Sequence, residues 1–321
     1  MCYYVWVGPR DIDCIQDPVF SDKICYFSDQ NIKETREANI YGNTFNKYIE
    51  NKMNEILNRH PDAKFIFYNP RIAYNLDSRL QQYIECLRIK HESVCTFKKN
   101  GKGCYFCNLP KSVLDFTTDD FEEILDNLLQ EPTFRHILIG GGSGNPDTEA
   151  EQIISVTNMI RARNHNIPIY LMSIPPQKVD VLANYKKAGI TEVAFNIEIW
   201  DRQLAKKIMP GKGDISLEHY LNILEESTKL WGKNGNVRTA LIVGLNQHEC
   251  LLEATRHLCS LGIQPMLSIF RPMINTKLES IVPPSNQELW TLYHEASSIC
   301  QKYNLELGPM CKECRNNMLS I

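Results

Sequence analysis

The chain has 321 residues, 43% of them hydrophobic and 23% charged, with a formal net charge of -3. That is the balance of a globular protein with a sizeable core, and it supplies no basic field for a nucleic acid. No apolar run reaches the ~18 residues of a membrane span. The N-terminal MCYYVWVGPRD also lacks a basic leader ahead of an apolar stretch, so the chain is read as cytoplasmic, with a small-molecule or peptide partner and neither nucleic acid nor membrane.

In such a reducing compartment the twelve cysteines are read as free thiols rather than disulfides. Cys2, Cys14, Cys25, Cys86, Cys250, Cys259 and Cys300 stand in apolar or helical contexts, where cysteine serves as a small hydrophobe.

In chain order, Tyr3–Val7 reads as a strand closed by Gly8-Pro9, and Ile24–Phe27 as a second. Phe45–Asn58 has helical spacing, Lys64–Tyr68 is strand-like, and Leu76–Leu87 carries Leu76, Leu80, Tyr83, Ile84 and Leu87 at helical spacing. Residues 1–90 are therefore expected to form a small N-terminal α/β module. No catalytic motif is visible in it.

Residues 91–303 alternate regularly. Strand signals at Ser93–Phe97, His136–Ile139, Pro168–Met172, Glu192–Ile197, Val237–Val243 and Met266–Phe270 are followed by helical patterns at Phe121–Leu129, Glu149–Arg163, Gln177–Ala188, Leu217–Trp231, His248–Leu261 and Gln287–Lys302. Such units imply parallel strands with right-handed crossovers, curved into most of a barrel, with ligands at the carboxyl ends of the strands. Residues 304–321 form a tail carrying Cys311-x2-Cys314.

The loop Val94–Leu109, VCTFKKNGKGCYFCNL, holds Cys95-x8-Cys104-x2-Cys107 directly after the first expected strand. Thiolates are soft ligands, and three of them on one flexible loop can hold a metal centre from one side and leave a coordination position open. The remaining strand ends are unusually polar or glycine-rich. They comprise Gly140–Gly144, Ser173, the Asn196, Glu198 and Asp201 of FNIEIWD, Gly244-Leu245-Asn246 and Arg271-Pro272. Lys212, in Met209–Gly213, reads as a solvated loop lysine, with a role at the barrel mouth as the alternative.

Two other readings stand beside this one. Cys104 and Cys107 with Cys311 and Cys314 would make a four-cysteine zinc site in a binding protein without catalysis. The glycine turn would equally cradle phosphate in a nucleotide-binding barrel enzyme. Cys311 and Cys314 are also candidates for a second metal site.

Residues 91–283 resemble the core of the radical S-adenosylmethionine (radical SAM) superfamily, whose signature is Cys-x3-Cys-x2-Cys with an aromatic residue, here Phe106, before the last cysteine. The resemblance implies a [4Fe–4S] cluster on Cys95, Cys104 and Cys107, with S-adenosylmethionine (SAM) on the fourth iron, in a partial (β/α)6 barrel. It further implies that Gly140, Gly141 and Gly142 meet the SAM amino group. Ser173 and Asn196 or Glu198 would hold the ribose or methionine moiety, and Val243 with Gly244 and Phe270 would flank the adenine. Asn196, Glu198, Arg238 and Arg271 are candidates for orienting SAM or substrate.

An electron donor such as flavodoxin or ferredoxin is implied, as is reductive cleavage of SAM to start radical chemistry on substrate. The eight-residue first gap departs from the signature. Cys95 is preferred over Cys86 as the first ligand, because it ends the expected strand while Gly101 and Gly103 let the loop fold back. KFIFYNPRIAYNL resembles a segment found ahead of ATP-grasp domains in natural-product pathways, which hints at specialised metabolism or peptide modification.

Overall fold

The computed structural model describes residues 2–6, 64–68, 80–82, 86–89, 94–108, 122, 125–126, 129, 135–145, 148–273, 275–308 and 318–319. The strand expected at Ile24–Phe27 and the helix expected at Phe45–Asn58 lie outside these residues, as do Cys311 and Cys314. A two-stranded parallel sheet pairs β1 (Cys2–Trp6) with β2 (Lys64–Tyr68).

The main sheet runs β3 (Leu80–Gln82) and β4 (Cys86–Ile89), then past the helical turn α1 (Thr96–Lys99) to β5 (His136–Gly140). It goes on through α2 (Glu149–Arg163), β6 (Ile169–Ser173), α3 (Asp180–Ala188), β7 (Glu192–Phe195), α4 (Arg202–Ile208) and a 3-10 turn (Lys212–Asp214). It ends with α5 (Leu217–Trp231), β8 (Val237–Val243), α6 (His248–Leu261), β9 (Gln264–Ile269) and α7 (Asn286–Lys302). Spatial order follows chain order from β3 to β9, with β4 to β9 parallel and β3 antiparallel to β4. The sheet stays open. Met318 bridges Ser268, and Leu319 N–H donates to Leu267 O, so the C-terminal tail returns to the edge of β9.

Both faces of the sheet are covered, which is why its strands read as near-continuous apolar runs. Ile137, Ile139, Ile169, Leu171, Val193 and Phe195 face the helices, against Ile153, Leu182, Tyr220 and Leu258. The alternate residues Leu138, Tyr170, Ala194, Ala240 and Met266 face the concave interior with Cys86. Leu125 and Leu129, expected to be helical, are helical and buried.

Two expectations before the cysteine loop are corrected. The chain at Leu76–Leu87 is not one helix, since it supplies β3 and β4, and the first parallel strand is Cys86–Ile89 rather than Ser93–Phe97. Pairing with β5, Cys86↔His136 to Ile89↔Ile139, overrides the helical spacing, because burial between sheet neighbours outweighs a weak local propensity.

Cys86 therefore begins a strand and sits in the concave interior, paired with the first residue of β5 and so remote from that strand's glycine end.

Candidate metal centre and cleft

The cysteine loop is fixed by backbone bonds at both ends. Thr96 N–H donates to Ser143 O at 2.8 Å, which joins the start of the loop to the glycine turn after β5. There Gly142 is pressed against Cys95: a Cβ on Gly142 would lie 2.6 Å from Cys95 N and 2.7 Å from Cys95 Cα. Only a residue without a side chain permits that approach.

The middle of the loop is tied to the segment after α4. Tyr105 N–H donates to Ile208 O at 2.8 Å, and Gly211 N–H donates to Lys102 O at 2.9 Å. The Phe97 ring packs where a Cβ of Gly211 would stand, 2.4 Å from Phe97 Cδ1. Cys107 N–H donates to Cys104 O and Lys98 Nζ to Cys107 O, at 3.2 and 3.0 Å, which close the Cys-x-x-Cys turn. The Lys277 ammonium covers the Tyr105 ring at 3.8 Å.

Cys95, Cys104 and Cys107 form no disulfide and are half-buried. Cys104 and Phe106 pack against Ile199, Ala205, Met209, Ile242 and Phe270. Burial pushes the Cys104 thiol up to about 12. The Lys212 ammonium opposes this, while Cys107, Glu198 and Cys95 add to it, so all three sulfurs share one electrostatic neighbourhood. A thiolate ligand must lose its proton, so metal binding here releases one. The thiolates of an iron–sulfur cluster bind different irons and need not meet at one point. No three His, Cys, Asp or Glu side chains among the described residues converge on a single-ion site. Three soft donors on a braced loop, closed on one side by Gly142, fit such a cluster.

A cleft of about 240 Å³ opens beside them, lined by Phe106, Cys107, Glu198, Ile242, Phe270 and Arg271 among others. Glu198 is placed by a break in the β7–β8 ladder, which has regular pairs only at Val193↔Val237 and Ala194↔Arg238. Beyond them side chains replace backbone partners. Thr239 Oγ1 donates to Phe195 O and accepts from Ile197 N–H, and Asn196 Oδ1 accepts from Ala240 N–H at 3.0 Å.

The ladder then resumes through Glu198, whose N–H donates to Ala240 O and whose carbonyl accepts from Ile242 N–H. Glu198 has φ 64°, a left-handed conformation uncommon for a residue with a side chain. Asn246 secures it by donating Nδ2–H to Glu198 O at 2.8 Å. Asn196 thus spends its carbonyl oxygen on the sheet, while Glu198 reaches the cleft.

The other sequence candidates fall as follows. Gly140 ends β5 with no room for a Cβ, which would stand 3.0 Å from Met172 O, while Gly141 is exposed. The Ser173 hydroxyl donates to Ile174 O. Val243 faces the helix layer, and Phe270 lines the cleft. Asp201 caps α4, accepting from Gln203 and Leu204 N–H. Arg238 belongs to the opposite end of the sheet, paired at 2.7 Å with Glu192 at the start of β7.

Lys212 is not solvated. Its side chain is 12% exposed and its Nζ lies 3.0 Å from Glu198 Oε1. Burial disfavours its charge, but the Glu198 carboxylate, together with Tyr220 and Cys104, outweighs this and holds the ammonium above its ordinary range. The sequence sign was the flanking glycines: Gly213 packs on Ala205 O as Gly211 does on Phe97.

Comparison with known proteins agrees with this geometry. A family model described as the Radical SAM superfamily matches residues 91–263, more than half of the chain. The bacteriochlorophyllide c C-7(1)-hydroxylase of Chlorobaculum limnaeum is 21% identical over 257 residues, which cover 72% of this chain and 64% of that relative. This chain thus spans less than two thirds of its length.

Among solved structures, HydG, a maturase of the [FeFe]-hydrogenase, superposes with a TM-score of 0.51 at 14% identity over 68% of this chain and 50% of HydG. HydG from Carboxydothermus hydrogenoformans gives 0.51 at 12% identity over 72% of this chain and 55% of that one. The chain belongs to the Radical SAM superfamily. The open parallel sheet is the fold that this chain shares with both HydG structures. None of its described helices is long and apolar enough to cross a membrane.

The choice between Cys86 and Cys95 is open to a direct count. Cys86→Ala is expected to retain wild-type iron after anaerobic reconstitution, because Cys86 sits among Leu138, Tyr170 and Met266 in the concave interior. Cys95→Ala is expected to lose it. Iron lost from Cys86→Ala alone would reverse the assignment.

Proposed function

We propose that Cys95, Cys104 and Cys107 are the three protein ligands of the cluster, and that SAM lies between the glycine turn and the cleft. Gly140–Gly142 would meet its methionine end, Glu198 with Ser173 its polar groups, and the Phe270 side chain with the backbone of Val243-Gly244 its adenine. The observation that carries this reading is the contact of the two strand-end loops. Thr96 bonded to Ser143 and Gly142 pressed on Cys95 bring the start of the cysteine loop against the glycine turn that follows β5, which supports the reading.

When bound, the cluster and SAM would together supply the radical chemistry that acts on substrate. The chain's own part is to hold the thiolates, keep apolar walls around the reacting end and orient both partners. Phe106, Ile242, Phe270 and Met273 provide those walls, and Glu198 and Arg271 stand among them as the charged groups that orient a polar ligand.

The substrate is a small molecule or peptide, and a flavodoxin- or ferredoxin-type donor supplies the electron in a reducing, cytoplasmic compartment. The test is anaerobic reconstitution followed by SAM and dithionite, reading 5′-deoxyadenosine by mass spectrometry. A protein that binds a full cluster and forms none of it would overturn the reading.

A further inference from the structure

We propose that the buried pair Lys212–Glu198 sets the reduction potential of the cluster, Lys212 raising it and Glu198 lowering it. This rests on the reading of Cys95, Cys104 and Cys107 as cluster ligands.

The argument begins with how firmly Lys212 is held. Its 3-10 turn is bound to the cysteine loop through Gly211 and Lys102, and is braced from behind by Arg202, whose guanidinium donates to Ile199 O, Gly213 O and Ile215 O at 2.9, 3.1 and 2.6 Å. Those bonds fix the backbone on both sides of Lys212. Glu198 is held as firmly by its bonds to Ala240, Ile242 and Asn246. The pair is therefore a fixed dipole between the cysteine loop and the floor of the cleft, with side chains 12% and 16% exposed.

Both charges stand beside the ligand loop: Gly211, next to Lys212, bonds to Lys102 of that loop, and Glu198 lines the cleft together with Cys107. Away from water such charges are weakly screened, and the potential of an iron–sulfur cluster responds to nearby charge. Adding one electron increases the negative charge on the cluster and its thiolates. A fixed ammonium favours that step and a fixed carboxylate opposes it. A surface lysine would be screened by solvent and would have little effect.

The experiment is an EPR-monitored potentiometric titration of the reconstituted full chain, without SAM, using dithionite as the one-electron reductant. Lys212→Gln removes the positive end and leaves Glu198 unopposed. It should lower the ratio of reduced to oxidised cluster about tenfold at fixed potential, a shift of ~59 mV for one electron. Glu198→Gln should shift the midpoint the other way, and Lys212→Arg should restore it.

A purely structural role does not predict opposite shifts. Loaded variants that titrate with the wild type, or that shift in the same direction, overturn the proposal. If Lys212→Gln fails to load, Glu198→Gln decides alone: a raised midpoint supports the pair and an unchanged one refutes it. A wild-type protein that binds no cluster would instead remove the ligand assignment beneath it, a distinguishable failure.

Discussion

Cys104→Ala and Cys107→Ala are each expected to fall from about four irons per chain to nearly none after anaerobic reconstitution, and to lose the broad visible absorbance of a cluster. Each of the three thiolates would hold its own iron, so losing one leaves an iron without its protein ligand. Alanine should leave the backbone in place. Cys104 and Cys107 are linked by Cys107 N–H to Cys104 O, and the Tyr105 and Lys98 bonds that hold the turn use no cysteine side chain.

Loss of iron would thus report loss of a ligand rather than loss of fold, and an unchanged far-UV circular dichroism spectrum would show it. Wild-type iron and sulfide in either variant would refute the ligand set. Of the two, Cys107→Ala should also alter the cleft, whose wall it forms.

Much of this site was legible because its chemistry is local in the chain. The cysteine spacing, the glycine run and the polar strand ends are contiguous patterns, and the elements that carry them are long or flanked by clear stops. Glu149–Arg163, Leu217–Trp231 and His248–Leu261 begin and end where amphipathic spacing and the glycines at 232 and 262 place them. Val237–Val243 is a β-branched run buried throughout, and it reads as a strand by composition alone.

What was not legible depends on partners distant in sequence. The Leu76–Leu87 stretch satisfies a helical pattern, and only the neighbouring β5 turns its end into a strand. Asn196 looks like a ligand in FNIEIWD, yet Ala240 N–H, 44 residues on, takes its oxygen. Lys212 looks solvated because it stands between two glycines in a loop, and its burial comes from the cysteine loop, Glu198 and the Arg202 brace. Sequence shows which residues are able to do chemistry, and the fold decides which of them are left free for it.

The contact between Gly142 and Cys95 makes the sharpest structural prediction. In Gly142→Ala the new methyl would stand 2.6 to 2.8 Å from Cys95 N, Cα and Cβ, and backbone atoms cannot rotate away as a flexible side-chain tip can. The loops must separate, which strains the Thr96 to Ser143 bond and displaces the first sulfur of the set. Overfilling a packed contact costs about 1–3 kcal/mol. The fall in thermal stability of the iron-free protein should be of that size, and iron per reconstituted chain should drop below that of the wild type.

Gly141→Ala is the comparison, because Gly141 is exposed one residue earlier in the same turn and should retain its iron. The pair of variants separates position from chemistry, since neither removes a ligand. Wild-type stability and iron content in Gly142→Ala would show that the glycine turn does not bear on Cys95, and the placement of the cysteine loop against that turn would then have to be given up.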